Sequence, residues 1–144
     1  MCLNTTKNCF RYAKKDIECY KVMIDGPYHL KTPYVKDIVP FEVINGAKPF
    51  VAKGRAFTLT DKDKNTKTIF NGYIHTYTTM DGALAECRSW NTERFEIPEP
   101  LIIFKCIIPK GTRYAKGSYK TRDAYASKQV VFKERMSTKK IIIA

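Results

Sequence analysis

The eight residues Leu101-Ile102-Ile103-Phe104-Lys105-Cys106-Ile107-Ile108 constrain this chain more than any other stretch. A nearly continuous apolar run, rich in β-branched side chains and broken by Lys105, suits a strand in the middle of a sheet. Pro98 and Pro100 frame its entry. Pro109-Lys110-Gly111-Thr112 closes it as a tight turn, with proline at the second position and glycine ready for a positive φ. Such a strand needs a core around it. Hydrophobic residues at 44% and aromatics at 12% are enough to build one, and too many for a disordered chain. At 144 residues, one domain is expected.

The remaining pattern gives an α+β reading: a small, mixed, mostly antiparallel sheet with one main helix at about residues 79–90 and extended basic tails. Ile17 to Ile24 reads as a first strand, closed by Gly26-Pro27. Pro33 and Pro40 keep any strand between them short or at an edge. Phe50 to Thr60 alternates loosely as a strand. It ends in the charged loop Asp61-Lys62-Asp63-Lys64-Asn65, from which Thr66 to Phe70 returns. That loop lacks the glycine and the distal glutamate of a calcium loop. Gly72 to Tyr77 is another strand.

The helix follows. Thr78 or Thr79 can cap its start, and Met80, Ala83, Leu84 and Cys87 form one apolar stripe. Asp81 falls in the first turn and Arg88 in the last, both favourable to the helix dipole. Trp90 is placed over the core beside the helix end. Gln129 to Phe132 is a last core strand. Residues 1–15 read as a basic N-terminal arm, 16–135 as the domain and 136–144 as a C-terminal tail. No repeat or interdomain linker interrupts them.

Charge is distributed unevenly. The net charge is +12, and residues 109–140 hold ten basic residues against two acidic ones. Residues 1–22 hold five against two, while 23–108 are nearly balanced. Basic ends attract polyanions, because each neutralised phosphate releases condensed counterions. Lys110, Arg113, Lys116, Lys120, Arg122 and Lys128 are the candidate nucleic-acid or polyanion contacts. Tyr114, Tyr119, Tyr125 and Phe132 are interleaved with them and could stack on bases. The competing reading is a solvated face that keeps the protein soluble. Ile141, Ile142 and Ile143 are unusual near a chain end. They either pack back on the domain or add a strand to a partner, and are the candidate partner-binding tail.

Candidate chemistry is sparse. Cys2, Cys9, Cys19, Cys87 and Cys106 show no CxxC pairing and no nearby histidine, so neither a disulfide framework nor a metal site is expected. Cys87 and Cys106 read as small core residues, and the pattern fits a reducing compartment. No P-loop, dinucleotide fingerprint, metalloprotease helix or nucleophile elbow is present. No cofactor is implied. His29 and His75 are the only histidines, and His75 on its strand reads as structural. One enzymatic alternative, an ADP-ribosyltransferase-like site, would need His75, Tyr77 and Glu134 around one cleft. No run approaches the ~20 apolar residues of a membrane span, and the N-terminus lacks a signal-peptide core. The expected location is the compartment of synthesis.

Ile107-Ile108-Pro109-Lys110-Gly111-Thr112-Arg113-Tyr114, then Gly117, then Tyr125-Ala126-Ser127 before a short apolar strand, resembles small uncharacterised proteins of phages and mobile elements of gut Bacteroidetes. These also carry a Gly-x-x-His-x-Tyr strand running into a short helix, matched by Gly72 to Tyr77 and Thr79 to Ala85. The resemblance spans about residues 17–133. It implies a phage-type context and transfers no residue role.

Three functions follow as expectations. The first is a non-enzymatic phage-type accessory or structural binding protein, in a virion or other multichain assembly, with phage structural proteins as partners. It would work in the host cytoplasm or the virion, without a membrane. The second is a free nucleic-acid-binding or host-inhibiting protein. The third is the ADP-ribosyltransferase-like enzyme.

Overall fold

The apolar run at 101–108 is a strand paired on both sides, as its composition demands. The computed structural model of the chain describes residues 3–6, 10–25, 30–31, 38–52, 58–61, 66–69, 72–93, 101–119 and 122–136. In chain order the first elements are β1 (Leu3–Thr6), β2 (Arg11–Tyr12), β3 (Ile17–Asp25), β4 (Leu30–Lys31), β5 (Ile38–Val39) and the short helix α1 (Phe41–Ile44). Next come β6 (Phe50–Val51), β7 (Thr58–Asp61), β8 (Thr66–Ile69), β9 (Ile74–Tyr77) and the long helix α2 (Met80–Glu93). The last four strands are β10 (Leu101–Ile108), β11 (Arg113–Tyr119), β12 (Arg122–Ser127) and β13 (Gln129–Arg135).

Every strand pairing among the described residues is antiparallel. The main path runs β6-β13-β10-β3-β9-β12-β11-β1-β8-β7, with β2 beside β11, β4 beside β3, and β5 beside β4. β10 pairs with β3 along its full length, from Leu101 opposite Ile24 to Ile108 opposite Ile17. On its other edge it meets β13, with a bulge between Lys105 and Cys106. This is a mostly antiparallel sheet with two helices.

Alternation sends the two halves of β10 to opposite layers. Leu101 and Ile103 join Val22, Ile24, Tyr77 and the alanines of β11 and β12 under α2, which supplies Ala83 and Cys87. Ile102, Phe104, Cys106 and Ile108 join Cys19, Met23, Val130 and Phe132 on the other side, covered by Val39 and by Val43 of α1. Phe132 anchors that second layer, stacked on Phe104 at 5.0 Å and edge-on to Phe50 at 5.9 Å. Each such ring or aliphatic side chain, fully buried, contributes roughly 1.5–3 kcal/mol. Gly46, at φ 82°, lets the chain after α1 pass over β13. A Cβ there would lie 2.7 Å from the Phe132 carbonyl oxygen, so no other residue fits.

The helix matches its sequence signal closely. The Thr79 hydroxyl accepts from the Gly82 amide at 3.1 Å and caps α2. The helix runs on to Glu93, so Arg88 lies in its middle and not in its last turn. The Pro109–Thr112 turn closes with the Thr112 amide donating to the Pro109 carbonyl, and Gly111 takes φ 88°. The long strand expected over 50–60 is two short ones, β6 and β7, on opposite margins of the sheet. β7 and β8 do form the expected hairpin.

The N-terminal segment departs most from expectation. Where the sequence suggested an extended basic arm, residues 3–6 form a strand between β11 and β8, and Leu3 is fully buried. One apolar side chain at the right register outweighs the polar residues around it. The expected C-terminal tail, with Ile141, Ile142 and Ile143, lies outside the described residues, as do Lys120 and the Trp90 side chain. No helix among the described residues is long and apolar enough to cross a membrane.

The placement of Leu3 is directly testable. Leu3→Ala should lower unfolding free energy by about 2–4 kcal/mol in urea titrations, the range for a buried leucine truncation. A detached arm would show less than about 0.5 kcal/mol, the surface value.

Candidate polyanion-binding site

Glu86 of α2 is buried, and Arg122 of β12 reaches its carboxyl group at 2.9 Å. The two side chains are 4% and 21% exposed, so the pair is largely desolvated. Tyr77 lies beside them, and burial together with the Glu86 charge holds its hydroxyl far above the usual phenol range. On the other face, the partly buried Lys21 donates from Nζ to the His75 carbonyl at 3.0 Å, and burial pushes its pKa down to about 8. His75 is 8% exposed, and its Nε2 has no hydrogen-bond partner among the described residues. Burial, then the nearby Lys21 charge, lowers its pKa to about 3. Burial also raises the thiols, Cys19 to about 11 and Cys87 to about 12, with Cys106 well above its usual range. Thiols so protonated are poor nucleophiles.

The three residues of the enzymatic alternative are not brought together. Glu134, Lys105, Tyr20 and Tyr77 lie in one row across β13, β10, β3 and β9. Three strand spacings separate Glu134 from Tyr77, about 14 Å. Glu134 is exposed, while His75 and Tyr77 are buried.

The surface cations form a different pattern. The six expected contacts do not share one face. Lys116 is exposed but points from β11 to the side opposite Arg113, because residues 113 and 116 differ by an odd number of positions. Arg122 is turned inward onto Glu86. Lys110, Arg113 and Lys128 do converge, at the end of the sheet where the 109–112 turn meets residue 128. The Lys128 amide donates to the Arg113 carbonyl at 3.1 Å.

The same end receives the N-terminal cations. β2 pairs with β11, setting Tyr12 opposite Arg113 and Arg11 opposite Tyr114. The Ala13 amide donates to Thr112 at 2.9 Å, the Gly111 amide to Ala13 at 2.7 Å, and the Lys110 amide to Asp16 Oδ1 at 2.9 Å. Lys14 and Lys15 thereby join Lys110, Arg113 and Lys128, while Arg11, opposite Tyr114, projects from the other side of the sheet, as Lys116 does. All five are exposed except Lys128, and no ion pair joins any of them to a described carboxylate. Tyr12 stands among them, 68% exposed.

Two of these cations are ordered by rings. The Arg113 guanidinium lies 4.5 Å from the centre of the Phe10 ring, and Phe10 stacks on Tyr73 at 5.1 Å. Lys128 Nζ then lies 4.3 Å over Tyr73 and donates to the Gly72 carbonyl at 3.0 Å. Each cation–ring contact is worth roughly 0.5–1 kcal/mol at an exposed site. Arg11, Lys14 and Lys15 fall in the segment 1–15 that the sequence pattern presents as a basic arm, and nothing local in the sequence pairs Phe10 with Tyr73. The period-2 alternation of Phe10-Arg11-Tyr12-Ala13 is the signal that could have found the strand.

No protein-family model matches the chain, and neither a curated protein nor a solved structure matches it.

Two measurements test the interior. Arg122→Ala removes the cation from a buried carboxyl group and should cost about 2–3 kcal/mol, below the figure for a fully buried pair because Arg122 keeps some water contact. Adding Glu86→Gln should recover part of that loss in the same urea titration. For His75, the folded state resists a proton that the unfolded chain accepts below its ordinary pKa of 6.5. Stability is therefore intact above pH 6.5 and falls as the pH drops towards 3, by at most about 1.4 kcal/mol per unit. His75→Gln should flatten that limb of the stability–pH curve; an unchanged slope would remove His75 as its source.

Proposed function

We propose that this chain is a non-enzymatic accessory protein of phage type that binds nucleic acid through its basic end while held in a multichain assembly. The convergence of Lys14, Lys15, Lys110, Arg113 and Lys128 carries this reading. Pairing of β2 with β11 gathers cations about a hundred positions apart in sequence onto one end of the sheet. A merely solubilising charge needs no such gathering, since scattered cations serve equally well. In this reading the assembly contacts fall to other parts of the chain, with Ile141, Ile142 and Ile143 offering an added strand to a neighbour. The sites of action are the host cytoplasm and the virion.

Fluorescence anisotropy with labelled single- and double-stranded DNA over a salt series tests the proposal. Five phosphate contacts predict an affinity loss of about 500-fold on duplex DNA between 50 and 200 mM salt. The double substitution Lys14→Ala with Lys110→Ala should lower the salt slope by about two contacts and weaken binding on all sequences alike. Equal affinity and slope for that variant would remove the basic end from the interface.

A further inference from the structure

Resting on the nucleic-acid reading, we infer that the basic end grips the phosphate backbone through two cations held in advance by the Phe10–Tyr73 stack, and does not read bases. Protein surfaces that hold unpaired bases present open aromatic faces on which successive bases lie. Here the candidate rings have given those faces away. Phe10 and Tyr73 are parallel within 25° and cover each other, while Arg113 stands over one ring and Lys128 over the other. No base can enter that column without displacing a ring or a cation.

The column serves the cations instead. Arg113 rests on Phe10 and Lys128 on Tyr73, each cation on its own ring of the stacked pair. Long cationic side chains usually lose rotamer freedom when they bind, which weakens association. Here much of that freedom is already gone, because each charge rests on a ring and Lys128 is also tied to Gly72. The guanidinium has no described carboxylate partner, so its N–H donors remain for a phosphate, which they can meet bidentately. Lys110 on the adjacent turn and Lys14 and Lys15 add charge without geometry. Tyr12 is the one widely exposed ring at this end among the described residues.

The test compares three labelled or competing polymers of equal length against the full chain: oligo-dT, an abasic phosphodiester strand, and poly-glutamate. Affinities for oligo-dT and the abasic strand within about three-fold of each other, with poly-glutamate at least ten-fold weaker, are expected. A loss of ten-fold or more on the abasic strand overturns base-independent binding and leaves the nucleic-acid reading standing. Preference for poly-glutamate, or no binding to any polymer at low salt, overturns both. Phe10→Leu removes a ring face without changing charge. It should weaken both DNA-type ligands about five-fold, whereas Tyr12→Ala should change them less than three-fold. The reverse order would place the grip on Tyr12 and sink the column. Because the three-polymer comparison uses the unmodified protein, it decides the question even if Phe10→Leu fails to fold.

Discussion

The pairing of β10 with β3 on one edge and β13 on the other is the constraint from which the rest of the fold follows. A strand carrying Ile102, Ile103, Phe104 and Ile108 is apolar on both sides, and water must be kept from each. Antiparallel strands alone leave both faces open. The chain therefore needs a cover for each layer, and it uses different devices. One is α2, three to four turns long and set close over β9. The other is assembled from α1, β5 and β6, none longer than four residues, and relies on Phe132 and on the glycine at 46.

Much of this was legible in the sequence wherever a single segment carried its own signal. The 101–108 strand, the 109–112 turn and α2 with its Thr79 cap each rest on local periodicity, local φ preference or local capping. What stayed illegible depends on partners distant in the chain. β2 is two residues long and is a strand only because β11 lies beside it. β1 is polar but for Leu3, and its register on β8 decides that Leu3 goes inside. Glu86 looked like an ordinary polar helix position. Its burial is offset by Arg122, thirty-six residues later, which is brought under the helix.

The candidate site was half legible for the same reason. Composition located the positive charge, since counting needs no structure. It could not sort the charges, because sorting depends on which side of a strand each residue takes and on what covers that side. Lys116 and Arg113 are neighbours in sequence and are turned apart by alternation. Tyr12 and Arg113 are remote in sequence and are set side by side by one pair of strands.

Arg122 and Arg113 show how far cover decides the fate of a charge. Both lie on the same side of the β11–β12 ladder, near its opposite ends, a separation of roughly 20 Å along the strands. At the first end α2 lies over the sheet, so a guanidinium there loses water and must be matched by a carboxylate; Glu86 supplies it. At the second end the helix has passed, and the cover among the described residues is the Phe10–Tyr73 pair. Rings can hold a cation in place without neutralising it. The same residue type on the same face thus becomes an internal tie at one end and an ordered, uncancelled charge at the other. A count of arginines and lysines overstates the binding surface by the cations that cover has taken inside, and understates it by the geometry that rings give to those left out.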